Sequence, residues 1–127
     1  MAMESTRRLF DGGLRRFLVA RDGTCGTPWC DAPVRHLDHV VDHASSGPTN
    51  AENGQGLCVR CNHTKQQPGW RARPEPAPDP WTWRTPTVVT TTPTGHRYAS
   101  TAPPVVPGEP LEPLSLLERH LETLLAA

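Results

Sequence analysis

The sequence lacks the features that carry a chain into or across a membrane. None of its apolar runs approaches the length of a spanning helix. Its start, MAMESTRRLFDGG, has no apolar stretch of the kind that a secretory signal needs. We therefore expect a soluble, cytoplasmic protein without a membrane partner. Disulfides do not persist in such a reducing compartment, which favours metal binding by the cysteines.

Net charge is also absent, because thirteen Lys and Arg residues balance thirteen Asp and Glu residues. The balance hides an asymmetry: residues 1–73 carry ten basic groups against seven acidic ones, and residues 74–127 carry three against six. A module that meets polyanionic nucleic acid needs its basic groups gathered, and here they lie in the same half as the cysteines. A solvated surface with a chance imbalance would explain the same counts.

The four cysteines form two closely spaced pairs. Four residues separate Cys25 from Cys30, and two separate Cys58 from Cys61. Each pair can direct two thiolates at one ion from a tight turn, and two pairs complete a closed tetrahedral site. We expect a structural Zn²⁺ ion there, because a chain of this size buries only part of its surface and needs a further source of stability. Four unliganded thiols are the alternative.

The first half of the sequence predicts a small α+β domain over residues 5–73. Apolar residues recur near helical spacing over residues 5–20, but Gly12 and Gly13 weaken the middle. We therefore expect an N-terminal helix, with Ser5 or Thr6 as its cap, that bends or starts late. The patterns that follow predict a strand at 34–41, a loop over 42–56, a brief strand at Leu57 and a helix at 59–67.

Proline dominates the second half. Eleven of the fifteen prolines lie within residues 74–113, which predicts a Pro-rich tail with little regular structure. β-Branched residues beside a Pro-Thr-Gly turn predict a short hairpin at 81–98. An amphipathic C-terminal helix is predicted at 114–126, where it would dock on its own domain or join two chains in a dimer.

One segment, LDHVVDHASSGPTNAENGQGLCVRCNHTK at residues 37–65, resembles the HNH endonuclease family. Residues 16–73 are similar end to end to its zinc-stapled bacterial branch. The tail TPTGHRY…APP also resembles the part that follows the nuclease motif in large bacterial HNH proteins with a helical domain of unknown function in front. The resemblance implies a ββα-metal fold, in which two short strands, an Ω-like loop and a helix hold one divalent cation, and it implies DNA as the substrate.

The resemblance assigns roles to four residues of this segment. The first motif histidine falls on His39, the acidic ligand before it on Asp38, the motif asparagine on Asn53 and the third motif position on Asn62. Hydrolysis of a phosphodiester needs a base for water, and an imidazole with a near-neutral pKa suits that task. Asp38 and Asn62 offer the oxygen ligands that Mg²⁺ or Mn²⁺ prefers, and Asn53 would help to orient His39.

Two further histidines lie close in sequence to these positions. His36 shares a strand face with Asp38 and would touch the metal or a phosphate, or lie at the surface. His63 follows Asn62 and would act only if the helix were rotated, because successive helical residues point about 100° apart. For the whole group the alternative is a set of polar residues that only cap turns and bond to backbone.

Basic residues on and beyond the predicted motif helix are the expected phosphate contacts, namely Arg60, Lys65, Arg71 and Arg73. We find no separate base-reading domain, so specificity is expected to be weak or to come from a partner domain outside this sequence. The pairing of a base with a hard-metal ligand favours a nuclease that nicks or cuts DNA. The alternatives are a zinc-stapled module that binds DNA without cleaving it, and a zinc-binding module that binds protein partners.

Overall fold

The computed structural model describes residues 3–75 and 86–102. Within these ranges the protein is a small α+β fold with two α-helices and antiparallel sheets, as predicted. No helix in these ranges has the length and apolar character that a bilayer crossing requires. The predicted helix at 114–126 lies outside the described residues. In chain order the elements are β1 (Glu4–Ser5), α1 (Gly12–Asp22), β2 (His36–His39), a 3₁₀ turn (His43–Ser45), β3 (Thr49–Asn50), β4 (Gly54–Leu57), α2 (Val59–Lys65), β5 (Arg71–Glu75), β6 (Thr87–Thr91) and β7 (Arg97–Thr101).

Helix α1 starts late, at Gly12, and its cap is not Ser5 or Thr6. Ser5 instead belongs to β1, which pairs with β3 in the loop after β2. Gly12 has a φ of 53°, a value that glycine adopts easily, so the glycine pair marks the start of the helix. Asp11 is the N-cap, without a side-chain cap bond. At the other end Gly23 has a φ of 65° and stops the helix.

Strands β2 and β4 form the antiparallel pair that leads into α2. His36 lies opposite Leu57 and His39 lies opposite Gly54. Helix α2 begins at Val59, as predicted, and ends at Lys65. Strand β4 is longer than the brief strand predicted at Leu57. Its Gly-Gln-Gly sequence has little strand propensity, so the sequence pattern did not reveal a strand that forms through burial and pairing.

The main apolar core lies between α1 and this strand pair. It contains the buried side chains of Phe10, Leu14 and Leu18, with Leu37 of β2 packed against them. Gly54 allows the close approach, since a Cβ atom there would lie 2.6 Å from Leu18 Cδ1. The core therefore places α1 directly behind the end of β2.

A buried ion pair joins the end of α1 to β4. Arg21 and Asp22 are 6% and 5% exposed, and their side chains bond to each other at 2.6 Å. The Arg21 guanidinium also donates to the carbonyl groups of Ala51 and Gly54, and Asp22 Oδ2 accepts the N–H of Gly56 at 2.6 Å. The cost of removing these two charges from water is offset, because their polar atoms bond to each other and to backbone groups of residues 51–56.

A three-stranded sheet follows α2, in the order β5-β6-β7. The hairpin of β6 and β7 overlaps the predicted range of 81–98 from residue 87 onward and ends at Thr101, and residues 81–85 lie outside the described ranges. Its turn contains Gly95, with a φ of 86°. Strand β5 was not predicted, because it contains Pro74. Proline is tolerated there since β5 is an edge strand.

Gly54→Ala is expected to destabilise the fold by about 1–3 kcal/mol, because overpacking forces neighbouring atoms to move. The added Cβ would lie 2.6 Å from Leu18 Cδ1 and 2.9 Å from Phe10 Cε1. Urea unfolding of the zinc-loaded protein measures the free energy of unfolding. Gly13→Ala is the matched control, because its Cβ meets only Met3 Cε at 4.0 Å and alanine favours the helix. Equal stability of Gly54→Ala and wild type would contradict this packing.

Candidate functional site

The four cysteines converge on one point. Their sulfur atoms all lie within 4.8 Å of one another, and Cys30 Sγ is 3.9 Å from Cys58 Sγ and 3.8 Å from Cys61 Sγ. Tetrahedral Zn²⁺ with Zn–S bonds of about 2.3 Å would hold its sulfur ligands about 3.8 Å apart. The cluster could therefore bind a structural zinc ion. In the described part of the chain it is the one group of three or more His, Cys, Asp or Glu ligand atoms with such spacing.

Cys58 connects this cluster to the start of α2. It is the N-cap of the helix, and its Sγ accepts the backbone N–H of Cys61 at 3.4 Å. This hydrogen bond lowers the pKa of Cys58 to about 7, whereas burial raises the pKa of Cys61 to about 12. A thiol with so high a pKa ionises at neutral pH only beside a cation, so the cluster needs a metal ion to hold four thiolates.

His39 is buried at the end of β2, against α1 and the loop that follows. Its ring centroid lies 4.5 Å from that of Phe10 and 5.5 Å from that of His43. Nε2 lies 2.8 Å from Thr49 Oγ1, and Nδ1 makes no hydrogen bond to any described residue. Burial lowers the pKa of His39 below its usual 6.5, so the ring is neutral at pH 7. With Nε2 donating to Thr49, the lone pair on Nδ1 is left to accept a proton.

Asn53 fixes the backbone that follows His39. Its side chain is almost fully buried. Oδ1 accepts the N–H of Val41 at 2.8 Å, and Nδ2 donates to the carbonyl groups of Val41 and Pro48, each at 2.9 Å. Its backbone carbonyl accepts the N–H of Val40 at 2.7 Å. Asn53 therefore acts on His39 through the chain, and no hydrogen bond joins the two side chains.

Asp38 lies on the opposite face of β2 from His39 and points toward α2. Its Oδ2 is 2.8 Å from Nζ of Lys65, which also donates to the His39 carbonyl at 2.7 Å and to Asp42 Oδ1 at 3.0 Å. The Asp38 contact is a close ion pair without hydrogen-bond alignment, and Oδ2 is buried with no hydrogen-bond partner among the described residues. The ammonium group of Lys65, which we expected on a phosphate, is thus engaged inside the protein.

Asn62 lies one turn before Lys65 and faces the same strand. Its Nδ2 is 2.8 Å from Nδ1 of His36, and its Oδ1 is buried without a hydrogen-bond partner in the described ranges. His63 is exposed, with its ring centroid 6.3 Å from that of His36. Asp38 Oδ2 and Asn62 Oδ1 are thus two buried oxygen atoms without hydrogen bonds, of the kind that Mg²⁺ and Mn²⁺ prefer as ligands. Such oxygen atoms could serve as ligands to a divalent cation.

A cavity of about 500 Å³ opens at the end of β2. Both Asp38 and His39 line it, because the strand ends at His39 and side chains from its two faces reach the same space. Sequence reasoning missed several lining residues, although the repeated Asp-His pair in LDHVVDH was a visible signal for two of them. The lining residues are Arg8, Asp38, His39, Asp42, His43, Ala44 and Gln66.

The remaining predicted phosphate contacts lie outside this cavity. Arg60 is exposed on α2, and Arg71 and Arg73 are exposed on one face of β5. None of the three forms an ion pair within the described ranges, in contrast to Lys65. Their side chains are therefore free to meet a partner, whereas that of Lys65 is not.

Residues 23–67, about a third of the chain, match the family model described as HNH endonuclease. The match contains both cysteine pairs, β2, β4 and α2, and it supports the resemblance seen in the sequence. It does not reach β5, β6 and β7. No curated protein and no solved structure matches the chain. Nucleic acid is the class of substrate that this family implies.

Cys58→Ser is expected to abolish stoichiometric zinc binding and the cooperative thermal transition, because it removes one of four ligands, while serine remains a favourable cap for α2. Atomic absorption measures the zinc content, and circular dichroism follows unfolding. His63→Ala is the control on the same helix, since a site of four cysteines does not use that imidazole. One zinc ion per chain and an unchanged transition in Cys58→Ser would rule out the four-cysteine site.

Proposed function

We propose that the protein is a metal-dependent endonuclease that hydrolyses DNA phosphodiester bonds, by nicking one strand or cutting both; the match of residues 23–67 to the HNH endonuclease family model supports this proposal. The observation that carries the proposal is the cavity at the end of β2. There a neutral, buried histidine and a carboxylate from opposite faces of one strand border the same space. A general base beside a ligand for a hard cation is the pair of groups that phosphodiester hydrolysis requires.

His39 is the general base in this proposal. Its Nδ1 takes a proton from water, whose oxygen forms a bond to phosphorus as the bond from phosphorus to the 3′ oxygen breaks. The departing 3′ oxygen takes up a proton from solvent, and His39 returns its proton to solvent. The products carry a 5′-phosphate and a 3′-hydroxyl end. Thr49 holds the ring through Nε2, at 2.8 Å, so that Nδ1 keeps its lone pair. Asn53 is a positioning residue, because its bonds to Val40 and Val41 fix the backbone after the base.

Asp38 Oδ2 and Asn62 Oδ1 would hold the divalent cation, Mg²⁺ or Mn²⁺, as buried oxygen donors without hydrogen bonds. A cation bound there offsets negative charge on the phosphate and on the departing oxygen. His36 orients Asn62 through its Nδ1. His63 is exposed on the next position of α2 and has no part in this arrangement.

DNA would be held by exposed arginines, one of which lines the cavity while three lie outside it. Arg8 lines the cavity and suits the scissile region, while Arg60, Arg71 and Arg73 suit flanking phosphates. Contacts of this kind carry no sequence information, so specificity is weak or comes from a partner domain. Dimerisation through residues 114–126 would convert nicking into double-strand cleavage.

A DNA-binding module without turnover is the second candidate, and one observation favours it. The ammonium group of Lys65 lies 2.8 Å from Asp38 Oδ2, so a cation of this chain is already paired with the proposed metal ligand. A module that only binds DNA would keep that pair permanently. Direct assays of cleavage and of binding separate the two candidates.

His39→Ala is expected to lower the rate of plasmid nicking by about 10²–10⁴-fold, the usual contribution of a general base. Supercoiled plasmid is incubated with the zinc-loaded protein and Mg²⁺ or Mn²⁺, and with neither cation. His96→Ala, an exposed histidine in the turn between β6 and β7, is the matched control and should cleave like wild type. Zinc content and circular dichroism verify that each variant is folded.

The opposite outcome is also informative. Folded, zinc-loaded wild type that leaves plasmid intact with both cations would rule out a nuclease that acts alone. A gel shift at increasing salt then separates the remaining candidates. A DNA-binding module binds DNA with an affinity that falls as salt rises, whereas a zinc-binding module for protein partners shows no such DNA affinity. Cleavage by His39→Ala at the wild-type rate would assign the base to another group.

Cleavage is expected to fall at acid pH, because His39 must be unprotonated to accept a proton. Burial lowers its pKa, so the midpoint of the acid limb of kcat/KM should lie below pH 6.5. A divalent cation nearby would move the midpoint further in the same direction. Nicking rates measured from about pH 5 to about pH 8 locate the limb. A midpoint above pH 6.5 would contradict a buried histidine as the base.

A further inference from the structure

The ammonium group of Lys65 lies among oxygen atoms of three residues at the end of β2. Its ammonium nitrogen lies 2.8 Å from Asp38 Oδ2, 2.7 Å from the His39 carbonyl and 3.0 Å from Asp42 Oδ1. Its side chain is 11% exposed, and that of Asp38 is 18% exposed. Three oxygen atoms thus surround a single positive charge, and two of them belong to Asp38 and Asp42, which line the proposed catalytic cavity.

The choice of lysine at this position is itself informative. Lys65 is the one lysine of the chain, beside twelve arginines. An ammonium group is a compact point charge with three donors on a flexible stem, whereas guanidinium is a broad, rigid fork. Three oxygen atoms around one point suit the compact cation. The flexible stem also lets the charge leave without movement of the helix.

Asp38 therefore faces two cations that cannot share it easily. The buried Oδ2 is within 2.8 Å of Lys65 yet accepts no aligned hydrogen bond, so its lone pairs are only partly used. A divalent ion at Asp38 and an ammonium group a few ångströms away would repel each other strongly in a half-buried site. The cavity beside Asp38 and Asp42 gives the displaced side chain a route to solvent.

We propose that Lys65 is a tethered cation that competes with the divalent metal for Asp38, so that the metal binds by displacing the Lys65 ammonium group. In the metal-free protein Lys65 neutralises Asp38 and Asp42 and holds the end of β2 through the His39 carbonyl. The inference rests on the proposed function, because it takes Asp38 as the metal ligand. It assigns Lys65 a role distinct from a permanent ion pair and from a phosphate contact.

Acetylation of Lys65 in the wild-type protein tests displacement directly. The zinc-loaded chain is treated with N-hydroxysuccinimide acetate at increasing Mn²⁺, and mass spectrometry of peptides measures the rate at Lys65. The α-amino group of the same chain is the internal reference. Displacement predicts a severalfold faster reaction of Lys65 as Mn²⁺ saturates its site. An unchanged or slower reaction at saturating Mn²⁺ would overturn the proposal.

Direct Mn²⁺ binding by the Lys65→Gln variant tests competition. Electron paramagnetic resonance measures free Mn²⁺ and needs no cleavage. Removal of the competing charge is expected to lower the Kd for Mn²⁺ by about tenfold or more. Arg60→Gln removes the same charge from the exposed side of the same helix and should leave the Kd close to that of wild type. Equal or weaker binding by folded Lys65→Gln would show that Lys65 does not compete.

The two measurements separate this inference from the proposed function. Wild type that cleaves plasmid and binds Mn²⁺, with Lys65 unaffected in both tests, would leave the nuclease standing and remove the competition. Wild type that binds no Mn²⁺ beyond its zinc would overturn both. If Lys65→Gln does not fold, acetylation of wild type alone decides, because it requires no substitution.

Discussion

The convergence of four cysteine side chains is the constraint on which the rest of this structure depends. Eight apolar residues are buried in the described ranges, and two of them are cysteines. The second core cluster consists of Cys25, Leu57 and Cys58. The cysteines therefore supply part of the buried core that a larger domain would build from apolar side chains. A metal ion at this point would join two segments of the chain that are distant in sequence. It would anchor the turn at residues 25–30 to the start of α2.

The same cluster decides which residues face the candidate active site. Cys58 caps α2, so the helix must begin at Val59. With the start fixed, helical periodicity directs Asn62 and Lys65, three residues apart, toward β2. Strand periodicity then separates two side chains, because Asp38 points to α2 while His39 points to Phe10 and Thr49. The two side chains meet only in the cavity at the end of the strand.

The parts that could be predicted are those that depend on local spacing. The cysteine pairs predicted a common metal site, and the local residue pattern predicted a helix that begins at Val59. Long-range contacts were not predictable in the same way. Strand β5 contains a proline that argues against a strand, and only its edge position explains it. Lys65 reads as a surface cation, since no local pattern reveals that Asp38 and Asp42 will lie beside it.

The polar residues of the candidate site also divide into those that the sequence could identify and those that only the fold reveals. His39, Asp38, Asn53 and Asn62 were identified through the family resemblance, and their roles remain predictions that the geometry makes testable. Thr49 could not be identified, because its bond to Nε2 of His39 depends on how the loop returns beside β2. Residue types therefore suggested which groups do chemistry, whereas the groups that orient them became visible only with the fold.

Charged groups beside β2 on the α2 side affect the pKa of His39, whose side chain lies on the other face of the strand. Burial is the main reason that the pKa of His39 is lowered, and Asp38 and Asp42 act against it, because a carboxylate beside an imidazole favours the charged ring. Lys65 lowers the same pKa, since its positive charge opposes protonation of the ring. A divalent cation that replaced Lys65 on Asp38 would bring more positive charge to the same side of His39. In the proposed mechanism His39 would thus stay neutral before and after the exchange, with cation binding on one face of β2 and proton transfer on the other.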